Sequence, residues 1–196
     1  MDRFDSLFEQ GHALIERQMW DKAIEKLEKA AKLDPSYAEL WFELAVAYEE
    51  VKQIGRAIDS YHKALEIEPD NIRILNNLGN LYRKIEDFSK AEQCYDNIFE
   101  INPNSLVGWF SYSEMLKSKG NLEGAIEGAK KTIELAEDQQ NAYFLASGHY
   151  NLACYLALKD RKESAKEHLE KALEIDPNLE EIAREDADLV SLNFFE

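Results

Sequence analysis

The chain has 196 residues, 45% of them hydrophobic, which is enough apolar matter to bury a core and too much for a disordered segment. Its 39 Asp and Glu against 23 Lys and Arg leave a formal charge of −16, so phosphate backbones are repelled and nucleic acid is excluded as an expected partner. There is no dense Lys/Arg cluster to meet an anionic membrane surface, and no run of about 18 uncharged apolar residues to span a bilayer.

Glycine (eight) and proline (four) are scarce, and Ala, Leu, Glu and Lys fill the stretches between them, which predicts an all-α chain. The first unit, about residues 2–35, opens with MDRFDSLFEQ, whose Asp and Glu interrupt the apolar run that a signal peptide requires. It then sets Leu7, Gly11, Leu14, Ala23, Leu27 and Ala30 at helical spacing before Pro35. The second unit, about 36–69, contains WFELAVAY, in which Trp41, Leu44, Ala45 and Tyr48 share one helix face. Ala57, Tyr61, Ala64 and Pro69 complete it. The third, about 70–103, repeats the pattern with Leu75, Leu78, Gly79, Tyr82, Ala91, Tyr95, Ile98 and Pro103. The three prolines are 34 residues apart, and a fixed period of that size predicts stacked helical hairpins. Each proline stops a helix because it cannot continue the hydrogen-bond ladder, and Asp34, Asn102 and Asp176 before three of the four prolines suit the exit turn.

The fourth unit, about 104–139, keeps Trp109 and Ala125 but places Ser113 at the small position, Ala129 where a large residue is expected and Thr132 where Ala is usual. Gly120 is expected to end its first helix, and Gly124 and Gly128 to thin its second. The fifth unit, about 140–177, carries Leu152, Ala153, Leu156, Ala165, Leu169, Ala172 and Pro177. It lies six residues beyond the 34-residue register, which predicts a first helix extended at its start, with Tyr143 and Phe144 tucked over the thin preceding helix. After Pro177, residues 178–196 supply a capping helix with Leu179, Ile182 and Ala183 at helical spacing, and the Phe194–Phe195 pair is expected to cap the last core, the alternative being contact with a partner.

These recurring positions, over roughly residues 4–177, resemble the tetratricopeptide repeat (TPR) family. The resemblance implies an all-α, right-handed superhelical solenoid of about five helix-turn-helix repeats plus a C-terminal capping helix, forming a single domain over 1–196. The stretch YNLACYLALKDRKESAKEHLEKALEIDP followed by EDADLVSL is similar to the end of a group of bacterial TPR proteins, in which an LAC element precedes an acidic Asp-Leu tail. That group commonly ends in an Arg-containing tail, whereas this chain has Asn193, Phe194 and Phe195.

In this family bound segments lie on a concave face lined by the first helix of each repeat. The repeat positions that face inward are Phe8 and His12, then Phe42, Val46 and Glu49, then Arg73, Asn76, Asn80 and Arg83. Phe110, Glu114 and Lys117 follow, and then Tyr150 and Cys154. Aromatic residues there flank an Asn and Arg centre. Asn pairs with peptide backbone, and Arg73 and Arg83 offer planar forks to a ligand carboxylate. The plainer alternative is that Phe42 and Phe110 pack between neighbouring helices and the polar residues are solvated. The family's carboxylate-clamp pattern is not supported, because only Arg73, Asn76 and Asn80 match it, all in one unit.

No phosphate loop, HExxH, GxSxG or paired-Cys spacing is present, and His12, His62, His149 and His168 are dispersed. No catalytic residue, metal ligand or cofactor is therefore expected. Cys94 and Cys154, 60 residues apart, sit in helical apolar patterns like small buried hydrophobes, which suits a reducing, cytoplasmic setting. The expected function is a scaffold that binds a peptide segment of a partner protein. The alternative is a module that self-associates into a homo-oligomer.

Overall fold

The computed structural model describes residues 3–195. Among them are eleven α-helices and one short 3-10 helix. The chain divides into two compact units, residues 1–81 and 82–196. Unit 1 holds α1 (Arg3–Glu16), α2 (Trp20–Ala31), α3 (Ala38–Glu50), α4 (Ile54–Ile67) and the first part of α5 (Ile72–Lys84). Unit 2 holds the end of α5, α6 (Phe88–Ile101), α7 (Leu106–Ser118), α8 (Leu122–Asp138), α9 (Ala142–Leu158), α10 (Lys162–Ile175), α11 (Leu179–Glu185) and the 3-10 turn Val190–Leu192.

Successive helices pack as hairpins within each unit: α1 on α2, α2 on α3 and α3 on α4, then α6 on α7, α7 on α8, α8 on α9 and α9 on α10. Small residues make the close approaches. Gly11 faces Leu27 so tightly that a Cβ there would lie 2.5 Å from the Leu27 side chain. Ala23, Ala45, Ala57, Ala91, Ala153 and Ala165 are fully buried, and Leu44, Tyr48, Tyr61, Tyr82 and Tyr95 fill the space around them.

Each turn inside a hairpin uses the same backbone device. Gln18, Lys52, Glu86, Gly120 and Asp160 all adopt positive φ, and the next residue's N–H reaches back five residues to a helix carbonyl, as in Met19 to Leu14 (2.8 Å) and Asn121 to Leu116 (2.8 Å). Only glycine takes that conformation without a steric cost of about 1 kcal/mol, which explains Gly120 after α7. At the exits before the next hairpin, Asp34, Asn102 and Asp176 accept the N–H two residues on. Before Pro69 the residue is Glu68, and Asn71 makes the turn bond instead, accepting from the Arg73 N–H at 3.1 Å. Trp41 and Trp109 each donate their indole N–H to the proline carbonyl six residues earlier.

The six extra residues lengthen two helices. Both α8 and α9 have 17 residues, against 12 to 14 in the other repeat helices. Close packing of α7 on α8 depends on Gly128, where a Cβ would lie 2.9 Å from that of Ser113, and the buried Thr132 hydroxyl donates to the Gly128 carbonyl. The two expected aromatic plugs behave differently. Phe144 packs on Leu106, Leu135 and Ala136, whereas Tyr143 is 68% exposed and meets the Phe144 ring edge-on. Neighbouring residues on a helix point about 100° apart, so one ring faces inward and the other does not. At the C-terminus, Ala183, Leu189 and Leu192 are buried and form the cap, whereas Ile182 is 58% exposed. Phe194 and Phe195 are half-buried, in an edge-on pair with Arg184 over the Phe195 ring.

Candidate functional site

In unit 1 the predicted groove positions fall on α1, α3 and α5. Phe8 stacks with Phe4 and His12 and meets Tyr37 edge-on at 5.1 Å. Phe42 is sandwiched between Tyr61 and the Arg73 guanidinium, which lies 3.8 Å from the ring centre. Arg73 is already ion-paired with Glu39 at the surface, its side chain 50% exposed. Val46 is half-buried, and Glu49 lies 3.5 Å from the Tyr61 hydroxyl. Asn76 and Asn80 are half-buried one turn apart, and Asn76 Oδ1 is buried without a hydrogen-bond partner.

His12 has a partner that the groove positions alone do not identify. Its Nδ1 meets Glu43 Oε1 at 2.5 Å, and Glu43 is 5% exposed, with Oε2 unpartnered. The hydrogen bond and charge of Glu43 raise the His12 pKa, while burial raises that of Glu43 despite the imidazole. Both groups hold protons more tightly than in water. The available signal was the single acid inside the otherwise apolar run WFELAVAY.

In unit 2, Arg83 Nη2 lies 3.7 Å from Glu114, whose pKa is raised by burial. Phe110 meets Phe144 edge-on at 5.8 Å, so it packs between neighbouring helices as the plainer alternative expects. Lys117, Tyr150 and Cys154 converge on the chain's own C-terminal segment. Lys117 Nζ lies 2.7 Å from Asp188, the Tyr150 hydroxyl donates to Asp186 Oδ2 at 2.6 Å, and Cys154 Sγ lies 3.7 Å from the same oxygen. Burial pushes the Tyr150 hydroxyl and the Cys154 thiol well up, and the Asp186 carboxylate adds to both shifts. Burial opposes the charge on Lys117, but the hydrogen bond and charge of Asp188, with Cys154 and Asp186 adding, together outweigh it and raise its pKa. The thiol and the two carboxylates approach within 4.8 Å of one another, and the Lys117 ammonium supplies the local positive charge.

A separate depression in unit 1 is lined by Trp41, Tyr48, Arg56 and Lys63, with Lys63 over the Trp41 ring and Arg56 over the Tyr48 ring. None of the predicted groove residues lines it.

The hairpin period, the small-residue packing and the repeated turns coincide with family matches. A TPR repeat matches residues 11–52, and tetratricopeptide repeats match 38–71, 72–105 and 146–179. The chain belongs to the tetratricopeptide repeat family. No curated protein matches the chain. Among solved structures, a MamA fragment running from residue 41 to the end, from Desulfovibrio magneticus RS-1, is similar with TM-score 0.74 and 18% identity, covering 92% of this chain and 98% of that one. YrrB, described as a TPR protein with an unusual peptide-binding site, is similar with TM-score 0.62 and 25% identity, covering 88% and 86%. Among the described residues, no helix of this TPR protein is long and apolar enough to cross a membrane. The tetratricopeptide fold supports a protein-interaction role.

Proposed function

We propose that this TPR protein is a scaffold that binds an extended or helical segment of a partner protein, through Phe8, His12, Phe42, Val46, Glu49, Arg73, Asn76 and Asn80 in unit 1 and through Arg83, Phe110, Glu114, Lys117 and Tyr150 in unit 2. The reading treats residues 1–196 as one array and assigns it no catalytic step and no cofactor. The observation that carries it is the pair of half-buried amide side chains, Asn76 and Asn80, one turn apart on α5. A primary amide both donates and accepts, so it can pair with the N–H and C=O of a peptide backbone. YrrB's described peptide-binding site supports the same use of a related repeat array. Two unpaired buried cysteines support a cytoplasmic setting, and the tail resemblance supports a bacterial source.

The test pairs affinity capture and mass spectrometry with calorimetry. The double variant Arg73→Ala, Asn76→Ala should melt within a few degrees of wild type, yet lose at least tenfold in affinity for the partner segment mapped with the native protein. Undiminished affinity in a folded double variant would move the site off these residues.

A further inference from the structure

We infer that the unit 2 face formed by Lys117, Tyr150 and Cys154 is a docking surface for an acidic peptide of Asp-x-Asp-Leu type, and that the chain's own residues 186–189 occupy it until such a peptide displaces them. The inference rests on the scaffold reading above and goes further by naming the chemistry of the ligand.

Three groove positions on two helices act together here. Tyr150 and Cys154 are one turn apart on α9, and Lys117 lies in the last turn of α7. Their polar atoms are all taken by two carboxylates spaced two residues apart: Asp186 by Tyr150 and Cys154, Asp188 by Lys117. The segment also has the features of a bound peptide. Asp186 is extended (φ −72°, ψ 115°), and its Oδ1 accepts the Asp188 N–H at 2.9 Å, which fixes the spacing of the two acids. Leu189, 4% exposed, is then buried beside them. An ammonium and a phenolic hydroxyl facing two carboxylates recognise an acidic segment by charge and by hydrogen bonding, whichever chain carries it.

The contact is also exchangeable. The Lys117 and Asp188 side chains are 38% and 22% exposed, so water reaches the ion pair and a carboxylate from another chain can replace it. The tail has the advantage of its tether, which holds it at an effective concentration on the order of millimolar. A free peptide therefore competes poorly against the intact tail, and weakening the tail's own acids should expose the site.

The probe is a fluorescein-labelled peptide with the sequence of residues 184–192, REDADLVSL, titrated by fluorescence anisotropy into the full chain. The variant Asp186→Asn, Asp188→Asn keeps the buried Leu189 and Leu192, and should bind this probe at least tenfold more tightly than wild type. Asp188→Asn alone, which retains the Asp186 turn, should gain about threefold and covers the case in which the double variant does not fold. Adding Lys117→Ala to either variant should remove the gain, and a probe with Asn in place of both Asp should not bind. Equal affinities for wild type and variants, no binding to any of them, or binding indifferent to Lys117→Ala would overturn the inference. So would light scattering that shows a wild-type dimer lost in the variants, since the tail's partner would then be a second copy. A peptide site sensitive to Arg73 and Asn76 but not to Lys117 would leave the scaffold reading standing and remove only this one.

Discussion

Glu43 shows how a single residue departs from its repeat. It lies in an apolar helix face, 5% exposed, with one oxygen on His12 and the other unpartnered. The fold raises the pKa of both groups, mainly through the Glu43 hydrogen bond for His12 and through burial for Glu43. The His12 contribution to stability is full below its unfolded value of 6.5 and fades as pH rises through its higher folded value. Burial raises Glu43 above 4.5 although the imidazole opposes it, so above both transitions the protein holds a buried carboxylate facing a neutral ring. Glu43→Gln should therefore cost the most melting temperature on the acid side of the His12 transition, where the charged imidazole has its carboxylate, and match or exceed wild type on the alkaline side. A difference in melting temperature that stays constant across that range would refute the account. The 34-residue period put Phe8, Phe42 and Arg73 on the first helix of successive repeats, but their partners Tyr37, Tyr61 and Glu39 were not legible, because a period reports where in a repeat a side chain lies and not what stands opposite.

Among the elements, α8 and α9 absorb the break in the repeat. The sequence placed the irregularity correctly and predicted the extended α9, while the matching extension of α8 and the exposure of Tyr143 came from the packing. The α9–α10 pair also carries a pH response. His149 and His168 stack with their Nδ1 atoms 2.8 Å apart, so at least one ring must be neutral. Burial first, and then His168 and Lys171, lower the His149 pKa to about 4, and burial and Lys171 also lower that of His168, with Lys130 of α8 adding to the positive field and Glu167 opposing it. A lowered histidine stabilises the native state above its unfolded value of 6.5, and that stability is lost as pH falls from about 6.5 towards 4. The melting temperature of wild type should fall over that interval, and His149→Gln should flatten the fall. An equal fall in both would place the acid sensitivity elsewhere.

For the whole molecule, the charge of −16 is the largest electrostatic fact. The observed ion pairs are mostly exposed and worth about 0–1 kcal/mol each, so screening the net repulsion should outweigh weakening them. The melting temperature should rise by several degrees between 10 and 300 mM NaCl, and a fall would show that the pairs dominate. The amino-acid order alone determined the all-helical repeat architecture, the prolines and turns that bound it, and the helix that carries each predicted groove residue, because all of these depend on contacts within one period or between adjacent helices. Tertiary structure decided what stands opposite those residues. Asp186 lies 36 residues from Tyr150, and Asp188 lies 71 residues from Lys117. No local pattern encodes such pairings, since they arise only when the last cap folds back and brings its carboxylates to the ammonium and hydroxyl of earlier helices.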